Sequence, residues 1–334
     1  MGMIVRQSAS LFGTLMAGQG CTLAQGAVVR SEDGQVRIGH GSLFLENGVI
    51  VGGPRLPVAI GSKVVFGHRC LVIGAFVGDL CEVGNSTILM TGARLGARCM
   101  TGEGTLITQG TVIPDDSVVV GRPGRMIRRT SDADIERVLR LRGGDFSLPD
   151  GELTRYDYPL RRDHAMGRLY AYGNKHPRVH STAYLFDSAE ITGDVIIGEG
   201  CIIGAGVKII GDSHGPVRIG NRVQILENAV LHLLPDTSLI IEDDVIIGPG
   251  TMIHGCHIGS GCIVEPGAIV CDYSRLGKNC VVTAGSLVKQ RDEFPDGSVI
   301  EGFPGRLSGR ADGTLAMPAW ALSMEAVRAL EKTG

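Results

Sequence analysis

Residues 239–276 read LIIEDDVIIGPGTMIHGCHIGSGCIVEPGAIVCDYSRL. Within this run Ile241, Ile247 and Ile253 fall six positions apart, and after one five-residue step the column resumes at Ile258, Val264, Val270 and Leu276. Outward from it the column continues. Ile191, Ile197, Ile203, Ile209, Ile219, Ile225 and Leu231 precede it, and Val282 and Val288 follow. The first half carries the same device: Ile38, Phe44, Ile50, then Ile60, Phe66, Val72, and after the same short step Val77, Val83, Leu89 and Leu95. A period of six fits neither an α-helix nor an alternating strand. Fixed-period self-similarity marks a solenoid in which each six-residue unit forms one flat side of a coil.

The unit has further structure. Gly often follows the aliphatic residue, as in Ile38-Gly39, Ile60-Gly61, Ile219-Gly220 and Ile247-Gly248, and a small residue tends to sit four positions after it. The glycines are expected to form tight corners at positive φ. Three sides close a triangular coil of about 18 residues, stacked on the next at a strand spacing of about 4.8 Å. The expected fold is all-β: two tandem parallel β-helices, each followed by an α-helix. Helix-like segments stand at Asp132 to Leu141 and at Met317 to Lys332, the second with an apolar stripe of Trp320, Met324, Val327 and Leu330. The expected domains are 1–142, a linker at 143–180, and 181–334.

The halves also match residue by residue. Arg37-Ile38-Gly39 corresponds to Arg218-Ile219-Gly220, and Leu45-Glu46-Asn47 to Leu226-Glu227-Asn228. Both columns end in a Pro-Gly-Arg run, at Arg125 and at Arg306. This reads as an internal duplication. Between the copies periodicity stops, and Tyr156, Tyr158, Tyr170 and Tyr172 gather there. That stretch is read as a linker packing on one of the helices.

Composition sets limits. Fifty glycines in 334 residues and 4% aromatics suit a solenoid better than a globular α/β core. A net charge of −3 offers no electrostatic basis for binding nucleic acid or an anionic membrane. The nine cysteines fall mostly at coil-interior positions, are odd in number and contain no CxxC pair, which argues against a disulfide framework or a thiolate zinc site. No charged-then-apolar leader pattern and no stretch of 18 apolar residues is present, so a cytoplasmic protein is expected.

Several blocks carry a family resemblance: Gly215-Pro216-Val217-Arg218-Ile219-Gly220, Val230-Leu231-His232, the run from Ile247 to Cys256, and Gly302-Phe303-Pro304-Gly305-Arg306. Over nearly all of residues 175–310, and more loosely over 20–130, the sequence resembles the γ-class carbonic anhydrases and related hexapeptide-repeat proteins. The resemblance implies a left-handed β-helix assembled in rings of three, with zinc held by three histidines at the interface between neighbouring helices. Two of them come from one helix and the third from its neighbour.

Carried onto this chain, the resemblance places the two same-helix ligands at His232 and His254, and puts Pro249 at the third position. In the first copy Val51 and Ile73 stand where His232 and His254 stand in the second, while His68 occupies the place of Pro249. A complete three-histidine site therefore requires the His68 edge of a first copy to face the His232/His254 edge of a second, and a ring mixing the copies holds one such site at most. Where the family places a Gln-Asp pair, this chain has Leu45-Glu46 and Leu226-Glu227. The family's Arg-Gly-Asp triplet appears as Arg30-Ser31-Glu32 and Gly211-Asp212-Ser213. Glu46 and Glu227 are candidate general bases or interface acids. The remaining histidines, His40, His164, His176, His180, His214 and His257, receive no role.

Three functions stay open. The first is a zinc-dependent lyase or hydrolase of γ-carbonic-anhydrase type, acting on CO₂ or another carbonyl compound. The second is a coenzyme A-dependent acyltransferase, with His232 or His254 as general base and Arg125 and Arg306 meeting the cofactor's phosphates. The third is a non-catalytic assembly module. The expected partners are a small-molecule substrate and further copies of the chain.

Overall fold

The computed structural model describes residues 2–142, 144–160, 166–212, 215–234, 236–311 and 313–332. The chain divides into two compact units, Met1–Leu160 with Met324–Gly334, and Arg161–Ser323. Each is a left-handed parallel β-helix. The order of segments along the chain predicts a C-terminal helix that belongs to the second solenoid, whereas its contacts place it in the first unit.

In the first unit the inward column is stacked in three registers. Ile38 pairs with Ile60, Ile60 with Val77 and Val77 with Leu95. Phe44 pairs with Phe66 and Phe66 with Val83, while Ile50 pairs with Val72 and Val72 with Leu89. The second unit repeats this: Ile219, Ile241, Ile258 and Leu276 on one face, Ile225, Ile247, Val264 and Val282 on the next, Leu231, Ile253, Val270 and Val288 on the third. Every one of these side chains is buried. Burying one aliphatic side chain contributes about 1.5–3 kcal/mol, so the column is the main source of stability. The small residues four positions on, among them Cys70, Ala93, Val223, Ala229 and Cys262, are buried beside it. All nine cysteines are free, and burial pushes the Cys70 thiol up to about 12.

The glycine expectation needs correction. The glycine directly after the inward residue does not take positive φ; it is required because consecutive coils approach too closely for a side chain. A Cβ on Gly39 would stand 2.4 Å from the Gly61 carbonyl carbon. The left-handed corner lies three positions after the inward residue. Its occupants include Gly41, Asn47 (φ 59°), Arg98 (φ 55°), Asn228 (φ 55°) and Asp244 (φ 62°). Asn and Asp tolerate this region better than other side chains do.

Two strands from the Tyr-rich stretch cover the first coils. Thr154–Tyr158 pairs antiparallel with Ser10–Ala17, and Tyr156 and Tyr158 pack against the first core. Met166–Tyr170 pairs with Tyr184–Gly193 in the second unit. An open solenoid end is an unpaired sheet edge, and such strands close it. At the other end of each column the chain folds back as an antiparallel hairpin, Ser117–Gly121 with Gly124–Arg129 and Ser298–Gly302 with Gly305–Arg310.

Helix α1 spans Asp132–Leu141. Its start is a capping box: the Asp134 amide donates to the Ser131 hydroxyl and the Asp134 carboxylate accepts from the Ser131 amide. Val138 is buried beneath it, and Arg142 at its end reaches Glu82 at 2.8 Å. Helix α2, Met324–Glu331, is shorter than the expected segment. Trp320 lies ahead of it, buried in a turn closed by the Ala321 amide donating to the Pro318 carbonyl. Val327 and Leu330 bury the inner face of α2, and the Leu160 amide donates to the Leu330 carbonyl within the first unit. No helix among the described residues is long and apolar enough to cross a membrane.

Candidate metal-binding edges

In the second unit the strands Val230–Leu231 and Met252–Ile253 are neighbours in the stack, so the residue after each inward side chain falls on the same corner. The His232 amide donates to the Ile253 carbonyl, and the His254 amide to the Val270 carbonyl. These ladder bonds fix both backbones. The imidazoles stand with ring centroids 6.3 Å apart and planes at 87°.

Each ring faces a carboxylate. His254 Nδ1 lies 3.3 Å from Asp272 Oδ2, and His232 Nε2 lies 3.9 Å from Asp212 Oδ1. Asp272 is itself clamped: its Oδ1 accepts from the Gly255 amide at 3.0 Å and from the Leu234 amide at 3.4 Å. The sequence marks Asp212 only as part of the Gly211-Asp212-Ser213 triplet and does not mark Asp272. A signal for Asp272 exists, since a 17-residue coil stacks it under Gly255, beside His254.

In the first unit His68 follows Phe66 by two positions, and its amide donates to Asn85 Oδ1. Its Nδ1 lies 2.8 Å from Glu46 Oε2, one coil above. Glu46 is thus paired to a histidine. Glu227, its counterpart in the second unit, is buried, with 1% of its surface exposed.

The two kinds of edge differ in exposure. The side chains of His68, His232 and His254 are 54%, 38% and 29% exposed. Val51 and Ile73, which stand in the histidine positions of the first unit, are completely buried, and Pro249 in the second is buried too. Edges that keep their imidazoles are open, and edges that lack them are closed. Among the described residues no group of three or more His, Cys, Asp or Glu side chains could by itself hold a metal ion. His232 and His254 are brought together in the second unit, and His68 belongs to the first.

Arg125 and Arg306 sit at equivalent places in the two terminal hairpins, and both are exposed. His164 and His214 lie outside the described residues. His257 is occupied by Glu242 at 2.9 Å, and His40 Nε2 lies 3.2 Å from the Gly151 carbonyl.

Comparison with known proteins gives two family matches. Residues 238–272 match the family described as bacterial transferase hexapeptide (six repeats), and residues 57–90 match the hexapeptide repeat of succinyl-transferase. A carbonic anhydrase of Geobacillus kaustophilus is 37% identical over 110 residues, which is 33% of this chain and 60% of that one. The carnitine operon protein CaiE of Escherichia coli is 32% identical over 137 residues, 41% of this chain and 69% of that one. A solved hexapeptide transferase family protein from Anaplasma phagocytophilum is 28% identical with a TM-score of 0.41, covering 49% of this chain and 90% of that one. The chain thus spans about two thirds or less of the length of the two curated relatives, and each alignment with them accounts for under half of this chain.

Proposed function

Because the chain belongs to the hexapeptide-repeat, γ-carbonic-anhydrase-like family, we propose that it is a zinc-dependent lyase or hydrolase whose metal is held by His232 and His254 of a second unit and His68 of a first unit. The observation that carries this reading is the His232/His254 pair: two imidazoles on consecutive coils, 6.3 Å between centroids, at an open corner. The donor chemistry fits the ion. Three neutral imidazoles with an open fourth position suit catalytic zinc. At His254 and at His68 a carboxylate faces Nδ1, the arrangement by which metal-binding histidines are oriented. The complementary sets come together in an assembly of chains, built as three-helix rings in which an open first-unit edge meets an open second-unit edge.

Zinc, when bound, supplies a water nucleophile near neutral pH and polarises the substrate carbonyl. The protein's own residues set the rest. Leu45 and Leu226 stand where the family places a glutamine, and an aliphatic side chain cannot orient a hydroxide through a hydrogen bond. That favours a carbonyl substrate other than CO₂. Glu46, already paired with His68, serves to orient that imidazole rather than act as general base. Steady-state turnover of CO₂ and of an activated ester, with and without zinc, tests the proposal: zinc-dependent turnover that His232→Ala removes supports it, and turnover indifferent to both contradicts it.

A second reading rests on the exposed arginines of the terminal hairpins. In coenzyme A-dependent acyl transfer, Arg125 and Arg306 would meet the cofactor's phosphates while His232 or His254 takes the proton of the acceptor. Metal-independent calorimetric binding of coenzyme A, lost in Arg306→Ala, favours this reading. Binding of neither zinc nor coenzyme A leaves a non-catalytic assembly module.

A further inference from the structure

Asp272 serves two kinds of partner in the second unit, backbone amides and an imidazole. It is 6% exposed, and its carboxylate spans three consecutive coils. One oxygen, Oδ1, is fixed by the Leu234 amide from the corner after Leu231 and by the Gly255 amide from the next coil. The other, Oδ2, is left facing His254 Nδ1 at 3.3 Å. A carboxylate clamped at one oxygen has no freedom to follow the imidazole, so the imidazole must follow it.

The first unit lacks this arrangement. Registers Ile50–Val72–Leu89 and Leu231–Ile253–Val270 correspond, which puts Ile73 in the place of His254 and Thr91 in the place of Asp272. Where the imidazole is absent, the acid is absent too. The Gly74 amide, counterpart of the Gly255 amide, donates to the Val51 carbonyl, so the amide-accepting and the imidazole-facing roles are both absent from the first unit.

We infer that Asp272 is a positioning residue: it accepts the Nδ1 proton of His254, fixes that tautomer, and turns the unprotonated Nε2 outward as the coordinating nitrogen. A neutral imidazole carries one proton, so holding it on Nδ1 frees the lone pair of Nε2. The inference deepens the zinc reading and rests on it for its purpose, although the tautomer exists with or without metal.

The test uses the full-length chain and Asp272→Asn. Asparagine keeps an oxygen for the two backbone amides but turns a donor towards Nδ1, which forces the proton to Nε2. Long-range proton–nitrogen NMR of metal-free protein at pH 8 reads the tautomer, with His254→Ala assigning the signal, while calorimetry with zinc chloride reads affinity and a circular-dichroism melt verifies folding. The expected result is Nδ1–H in the wild type, Nε2–H in Asp272→Asn, and zinc affinity lower by about 10–100-fold. A wild-type imidazole protonated on Nε2 overturns the inference. So does an unchanged tautomer and affinity in Asp272→Asn alongside loss of zinc in His254→Ala, and the zinc reading then survives. The expected tautomers with no zinc bound by any form uphold the positioning role and overturn the zinc reading.

Discussion

His232 and His254 stand on consecutive coils, one residue beyond inward side chains that are themselves in register, with ring centroids 6.3 Å apart. Between them the chain makes one coil and a short insert, Leu233 to Thr237, in which the Thr237 hydroxyl donates to the Leu234 carbonyl. The pair is therefore a product of coil stacking. Anything that shifts the stack shifts the pair.

Ile247 is buried completely on the inward column, and Ile240 is 38% exposed on an outer face. Ile247→Ala is expected to cost about 2–5 kcal/mol of stability through lost burial and a residual cavity. Ile240→Ala is expected to fall within about 0.5 kcal/mol of the wild type. Urea midpoints measure both, and equal effects would contradict the assignment of faces.

The corrected role of the glycines has its own test. Gly39→Ala must push the Gly61 backbone, whereas at Gly110, with φ 69°, nothing lies within 4 Å of where an added Cβ would stand. Gly110→Ala is expected to cost about 1–2 kcal/mol from the left-handed backbone alone. Gly39→Ala should cost more, because neighbouring coils must part along the ladder. A Gly39 variant as stable as the Gly110 variant would show that close approach is not what the position demands.

Cys271 is the one cysteine that is not buried. A thiol reagent applied to native protein at pH 8 is expected to modify Cys271, leaving Cys70, with its thiol pushed up to about 12, unmodified until the chain unfolds. Mass mapping of the labelled cysteines reads this directly. Labelling of Cys70 at the same rate would mean that the first core opens readily.

Glu242 is held low, at about 2 against a usual 4.5, by the Ser260 hydroxyl first, then by His257 and the Ser260 amide. A depressed carboxyl adds stability above its unfolded value and loses it as pH falls through the folded one. Glu242→Gln should therefore melt below the wild type at pH 7, with the gap narrowing below pH 4.5 and closing near pH 2. A gap constant across that window would remove the explanation by hydrogen bonds to the ionised carboxylate.

The solenoid was legible because the aliphatic column is periodic and each of its members is buried; a repeat states its fold many times over. The left-handed corner lies two residues beyond the glycine that the sequence pattern points to. Glycine composition alone does not tell close approach from positive φ, and Asn, Asp and Arg share the true corner. His232, His254 and His68 could be found because coil length converts spacing into adjacency. Asp272, and the facing of Asp212 towards His232, are not legible because each acid lies one coil away from its histidine at a different offset from the inward residue. The strands Thr154–Tyr158 and Met166–Tyr170 were hidden for another reason: strands that close a solenoid end follow no six-residue period. The position of α2 depends on packing between segments far apart in sequence, which no local pattern records.

Zinc content per chain, measured after metal-free purification and reconstitution of the wild type, His254→Ala and His68→Ala, tests the shared three-histidine site most directly. About one zinc per complete site is expected in the wild type, with its loss in both variants, although the two histidines belong to different units. Full zinc retention by His68→Ala, or no zinc in the wild type, would contradict it.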